Sequence, residues 1–289
     1  MSLLQSILLG ILQGIAEFLP ISSSGHLKVV QNLFGLEDVP LLYDVFLHLA
    51  TLLAVCIYFR KTIWKLLKVF GCSIARRSSC IENNPNDLLC GTEKRGQKTI
   101  IALIISTIIT GAIGVFTSKV IPELSIKVTC TGFIVTAFLL IISSYIGKKA
   151  EKNITEVPAF DEKSDKEGIS PLQAAIIGLM QGIGTLPGIS RSGSTIAGAL
   201  FCKVKREAAG EYSFLVSIFA ILGAFVLELK DLSKVDSIGA LTVIAGCIAA
   251  FIFGYLSLAF LMKLIKKGKL EYFAIYLIPL GILGMIFLK

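Results

Sequence analysis

The chain has 289 residues, 54% of them hydrophobic, with a mean hydropathy of +0.80 and a formal net charge of +8. Its apolar residues run in continuous blocks, without the spacing of an amphipathic soluble helix or the alternation of a barrel strand, which excludes a soluble globular domain and a membrane β-barrel. With one Trp and no basic-aromatic patch, the positive charge reads as loop topology in a membrane protein and not as a nucleic-acid surface.

The first apolar stretch, 3–19, lacks the basic leader of a signal peptide and runs into a polar motif, so it reads as part of the mature protein. It is broken at Pro20 and followed by a serine cluster and a second short apolar run, 27–34. The block 41–59 is long enough to cross a hydrocarbon core of roughly 30 Å as helix. Residues 60–98 read as a basic, solvated cytoplasmic loop. Blocks 100–121 and 126–146 follow, each again of spanning length. The polar segment 148–169 links to a second broken stretch, 172–186, with its sequel 195–201. Three more spanning blocks complete the chain: 212–229, 238–261 and 272–288. The basic run 263–269 is suited to anionic lipid head groups. Of seven cysteines, Cys56, Cys130 and Cys247 fall inside spans as small apolar fillers. Cys72, Cys80 and Cys90 share the 60–98 loop, where a zinc site and simple reduced thiols are both open readings.

The sequence repeats itself. Gln13 to Gly25 reads QGIAEFLPISSSG, and Gln181 to Gly193 reads QGIGTLPGISRSG. Gln13 matches Gln181, Ser22 matches Ser190, Ser24 matches Ser192 and Gly25 matches Gly193, each pair 168 residues apart. The expected fold is therefore all-α and polytopic, with two membrane repeats, 1–147 and 170–289, around the linker 148–169. Each repeat is a re-entrant helix hairpin plus three transmembrane helices. An odd number of crossings per half turns the second repeat upside down, and inverted repeats with broken helices place a working site near the midplane. Most of the 28 Lys and Arg then fall on one side, in 60–98, 148–166, 203–206 and 263–269. That side is cytoplasmic by the positive-inside rule, which leaves both termini and the first broken segment facing outward.

Gln13 and Glu17 are four apart and share a helix face; a carboxylate within an apolar helix is a functional candidate. After Pro20, the run Ser22-Ser23-Ser24-Gly25-His26 precedes an apolar stretch, the pattern of a helix N-terminus whose free N–H groups suit a phosphate. His26, one of two histidines, could act as base, acid or nucleophile. In the second half, Pro187 to Thr195 offers Ser190, Ser192, Gly193 and Arg191, the one Arg in a broken segment and a planar partner for phosphate oxygens. A structural Glu17–Arg191 ion pair is the alternative role for both charges. Asp44 and His48 could pair beside the site or simply solvate a helix end. The inventory suits phosphoryl transfer.

These motifs resemble the undecaprenyl pyrophosphate phosphatase family, also called bacitracin resistance proteins. Its first signature resembles Gln13, Glu17 and Pro20 to His26, and its second resembles Pro187 to Gly193. The resemblance implies hydrolysis of undecaprenyl diphosphate to the monophosphate at the outer face of the cell membrane, which recycles the carrier for cell-wall polymers. It further implies that Glu17 with Gln13 holds a divalent cation (Mg or Ca) or a water. Ser23 or His26 would serve as nucleophile or acid–base group, a choice that spacing leaves open. Arg191 with Ser190 would bind the diphosphate, alongside Ser22, Ser24, Gly25, Ser192 and Gly193. Gln13 stands where many members carry Glu, which puts a two-carboxylate metal site in question. The implied partners are the polyprenyl diphosphate and membrane lipids, with a homodimer left open and no nucleic acid. Three rival readings remain. The acid-phosphatase class needs a His six residues after Arg191, where this chain has Ala197. A lipid-phosphate transporter or flippase shares the inverted-repeat layout. A small-molecule importer would use Glu17 and Arg191 only structurally.

Overall fold

The computed structural model describes residues 1–36, 41–75, 81–82, 84, 86–120, 125–155, 168–228 and 239–288. Among them the chain forms eleven helices and no strand: α1 (Leu3–Phe18), α2 (Ser23–Leu33), α3 (Leu41–Tyr58), α4 (Arg60–Ala75), α5 (Glu93–Val120), α6 (Ile126–Thr155), α7 (Pro171–Ile183), α8 (Arg191–Phe201), α9 (Arg206–Glu228), α10 (Ala240–Lys266) and α11 (Tyr272–Phe287).

The sequence repeat carries into local structure. α1 opens on a capping box in which the Ser2 hydroxyl accepts from the Gln5 amide and the Gln5 side chain caps Ser2. α7 opens on the same box from Ser170 and Gln173, with Pro171 at the first helical position. The short helices α2 and α8 match too: Ser22 accepts from the Gly25 amide, and Ser190 from the Gly193 amide. Where α1 meets α10, Ser6 bonds the Tyr43 hydroxyl (2.8 Å) and the Thr242 carbonyl (2.6 Å). Where α5 meets α7, Ser106 bonds the Tyr212 hydroxyl (2.8 Å) and the Ala174 carbonyl (2.7 Å).

α1 packs most extensively on α10, and α7 on α5. Both crossings need small residues. A Cβ on Gly10 would overlap the Gly246 carbonyl oxygen, and one on Gly178 would meet the Ser106 backbone. Without a hydrophobic drive between helices in lipid, such close backbone approach supplies the contact.

Four helices are each long and apolar enough to cross a membrane: 93–120, 126–149, 206–227 and 240–266. The expected span 41–59 differs: α3 turns by 78° into α4, and the pair counts as a fifth span only if taken together. The expected span 272–288 is the 16-residue apolar helix α11, about 24 Å long. The expected loop 60–98 is also corrected, being helical at both ends, in α4 and in the start of α5. On α4 the exposed residues Trp64, Leu67, Phe70 and Ile74 recur at helical spacing among lysines. Lys65 bonds Asp87 (2.6 Å), tying α4 to the turn before α5. Cys90 is buried there with a free thiol, and burial, then Asp87 and Glu211, pushes that thiol up to about 12. Cys72 is disulfide-bonded. Cys80 lies outside the described residues. α6 carries the chain to Thr155, so the linker 148–169 begins as helix; residues 156–167 lie outside the described residues.

Candidate active site at the two chain breaks

α1 delivers Gln13 and Glu17, both buried, to its C-terminal end. After Pro20 the chain turns through Ser22, which has φ 70° and ψ 91°, a left-handed backbone in a residue other than glycine. Such strain gathers at functional sites. The turn starts α2 with Ser23. In the second half the chain leaves α7 and passes Gly188 at φ 84°, where a Cβ would overlap the Thr129 carbonyl oxygen. The Ser190 amide donates to Thr136 Oγ1 (2.9 Å), fixing the loop to α6, and α8 begins with Arg191.

The two breaks meet. Gly193 lies against Pro20, and the Arg191 guanidinium forms an ion pair with Glu17 Oε1. The other carboxylate oxygen, Oε2, accepts from the Ser23 hydroxyl (2.7 Å) and from Gln13 Nε2 (3.0 Å). His48 Nε2 lies 3.4 Å from the same oxygen. Glu17 is thus the hub that joins both motifs. A buried carboxylate without these donors would be very costly, and the Arg191 charge balances it.

The expected residues separate into groups. Gln13, Glu17, Ser23 and Arg191 converge. Ser190 and Ser192 share a hydrogen bond (3.2 Å) beside Arg191, and Gly25 and Gly193 sit under the caps of α2 and α8. Ser24 is exposed on the first turn of α2. His26 turns elsewhere: its Nδ1 meets the Ser22 carbonyl and its Nε2 the hydroxyl of Tyr276, each at 2.8 Å. Asp44 and His48 do not pair through their side chains. Asp44 accepts from Gln31 (2.9 Å), while His48 Nδ1–H donates to the Asp44 carbonyl (2.7 Å) and its ring faces Glu17. Tyr276, Thr136 and Gln31 escaped the sequence reading, because each reaches the site from a segment with no local motif.

A small cavity is lined by Glu17, Arg191, Gln181, Thr195, Ser213 and Ser217 among others, giving the ion pair a polar floor. Among the described residues no three His, Cys, Asp or Glu side chains are grouped to hold a metal. The oxygen donors present are Glu17 and Gln13 Oε1, which is buried with no hydrogen-bond partner. Magnesium in phosphoryl-transfer sites is bound through one or two carboxylates plus substrate phosphates, a pattern that one carboxylate and one orphaned carbonyl oxygen fit.

Chemically, the arrangement offers a serine hydroxyl hydrogen-bonded to a carboxylate, a guanidinium and two helix N-termini: a nucleophile with its base, and a receptor for anionic oxygens. The sequence model of the family described as bacitracin resistance protein BacA matches residues 6–283. The chain is 48% identical to an undecaprenyl-diphosphatase of Treponema denticola, covering 98% of this chain and 96% of the relative. It is 38% identical to an undecaprenyl-diphosphatase of Methanosphaera stadtmanae, covering 99% and 98%. A third, from Borrelia recurrentis, is 37% identical over 96% of both chains.

Proposed function

This multi-pass membrane protein belongs to the bacitracin resistance protein family, and we propose that it is a phosphatase that hydrolyses undecaprenyl diphosphate to undecaprenyl phosphate and inorganic phosphate. The observation that carries the proposal is the double engagement of Glu17, with Ser23 on one oxygen and Arg191 on the other. We further propose that the two halves are inverted in the cell membrane and that the site opens to the outer face, so that the enzyme recycles the lipid carrier for cell-wall synthesis and confers bacitracin resistance.

In this reading Arg191 and the free amides of α2 and α8 receive the diphosphate oxygens. One guanidinium N–H holds Glu17, and the remaining donors are available to phosphate. Ser23 Oγ attacks the terminal phosphorus and its proton passes to Glu17 Oε2. The bond from phosphorus to the bridging oxygen breaks, and that oxygen takes the proton as the lipid monophosphate leaves. Water then attacks the phosphoserine, Glu17 accepts its proton and returns one to Ser23 Oγ, and inorganic phosphate departs. A carboxylate held by Arg191 is a weak base, but phosphoryl transfer through a loose transition state rests on positioning and charge more than on deprotonation. A divalent cation held by Gln13 Oε1 and Glu17 would neutralise charge on the diphosphate.

The test is phosphate release from undecaprenyl diphosphate by the detergent-purified protein, with and without a chelator. Wild type should release phosphate, and Glu17→Ala, Ser23→Ala and Arg191→Ala should each lose roughly 10²–10⁴-fold. Loss of rate on chelation, restored by magnesium or calcium, supports the cation. A folded wild type that releases none, with or without metal, would overturn the proposal and move the transporter reading ahead of it.

A further inference from the structure

His26 is engaged at both ring nitrogens. Nδ1 faces the Ser22 carbonyl oxygen, which can only accept, so Nδ1 carries a proton. The ring is buried and has no ion-pair partner among the described residues, so it is neutral. Its lone pair is then on Nε2, and the hydrogen bond there runs from the Tyr276 hydroxyl to the imidazole. Tyr276 also stacks on the ring (centroids 5.7 Å apart, planes at 20°), and Phe133 packs against it at 5.0 Å. Both nitrogens are therefore occupied by partners other than Glu17, Ser23 and Arg191. What the ring does hold is the carbonyl of Ser22, the left-handed residue whose turn sets the position of Ser23.

We infer that Tyr276 is a positioning residue for the phosphatase reaction: its hydroxyl donates to Nε2 and fixes the orientation of the His26 ring, whose Nδ1–H clamps the strained Ser22 turn and so aims Ser23 at Glu17. The chain of contacts runs from α11, near the C-terminus, to the first break of the chain. The inference rests on the assignment of Ser23 as nucleophile, and it makes His26 a second positioning residue.

The experiment uses the full-length protein in detergent. The chain has two histidines, so ¹⁵N-imidazole spectra can resolve His26 from His48. Wild type should show His26 as the Nδ1–H tautomer. Tyr276→Phe removes only a hydroxyl; it should keep the Nδ1–H tautomer, shift the Nε2 resonance as that nitrogen loses its donor, and lower kcat roughly ten- to a hundred-fold, with KM changed less than about two-fold. In a His26→Asn background, which keeps a donor near Ser22 but nothing for Tyr276 to orient, Tyr276→Phe should have no further effect. An unmoved His26 Nε2 resonance, an unmoved kcat, or additive losses in the double variant would each overturn the inference. Ser23→Ala separates the two assignments: retained phosphate release removes Ser23 as nucleophile, while the Nε2 resonance in Tyr276→Phe still decides whether Tyr276 holds His26.

Discussion

At the scale of single residues, the site turns on how donors and acceptors are matched. Glu17 has all its listeners on one side chain: Ser23, Gln13 and Arg191 each donate to it. His26 has its single proton committed to a backbone carbonyl. This predicts a graded series. His26→Ala leaves the Ser22 carbonyl without its side-chain donor and should lose activity about as severely as the nucleophile variant. His26→Asn retains a donor near the position of Nδ1 and should keep activity at least roughly ten-fold above His26→Ala, measured as phosphate release. A direct chemical role for the ring would abolish activity equally in both. The sequence already pointed to Gln13, Glu17, Ser23 and Arg191, because a carboxylate, a guanidinium and a serine run inside apolar segments are expensive unless they meet. It left Ser23 and His26 as equals, since adjacency on a motif says nothing of where each side chain turns. Tyr276 was illegible: one tyrosine in an apolar helix carries no signal until the fold brings it to His26.

At the scale of elements, the breaks were legible and the helix between membrane and loop was not. Pro20, the serine runs and the Pro187-Gly188 pair punctuate the apolar stretches, and the helices stop and start there. The segment 60–75 read as a charged loop because its lysines dilute the apolar stripe of Trp64, Leu67, Phe70 and Ile74. Its fold depends on an anchor from the far side, Asp87. Burial raises the Asp87 carboxyl, but the bonds from Lys65 and from the Cys90 and Leu89 amides outweigh it and hold the group below its usual range. The same hydrogen bond raises Lys65 above the usual lysine value. A depressed carboxyl stabilises the fold above its unfolded pKa, near 4, and that contribution is lost as pH falls through the folded value. The raised lysine contributes fully below its unfolded pKa, near 10.4, and loses its contribution as pH rises through the folded one. The α4 segment should therefore be most stable between these limits and weaken at both ends. Trp64, the one tryptophan, reports on it: its fluorescence melt should drop below about pH 4, and Asp87→Asn should flatten the acid limb. With Lys65 partly exposed, the cost of Asp87→Asn near pH 7 should be about 1 kcal/mol. A wild-type acid limb identical to that of Asp87→Asn would remove the ion pair as its cause.

At the scale of the whole molecule, the Glu17–Arg191 bond and the contact of Pro20 with Gly193 require both chain breaks to lie at the same depth. If the chain enters these breaks from opposite faces, the helices after them must run in opposite senses, and equivalent positions of the two halves must be exposed on opposite sides of the membrane. The matched capping boxes and the matched Ser22 and Ser190 caps supply the equivalence, and the distribution of lysine supplies the direction. The prediction is positional. Lys127, exposed at the start of α6, belongs outside; Lys267, exposed just past the end of α10, belongs inside. In a background with the seven native cysteines replaced and phosphate release retained, Lys127→Cys should react with a membrane-impermeant maleimide on intact cells. Lys267→Cys should react only after the membrane is opened. Equal labelling of both in intact cells would place the two positions on one side of the membrane and remove the inverted arrangement. The reverse pattern would keep the inversion but turn the active site toward the cytoplasm, where a serine at the tip of the first hairpin would meet its diphosphate from the inner leaflet.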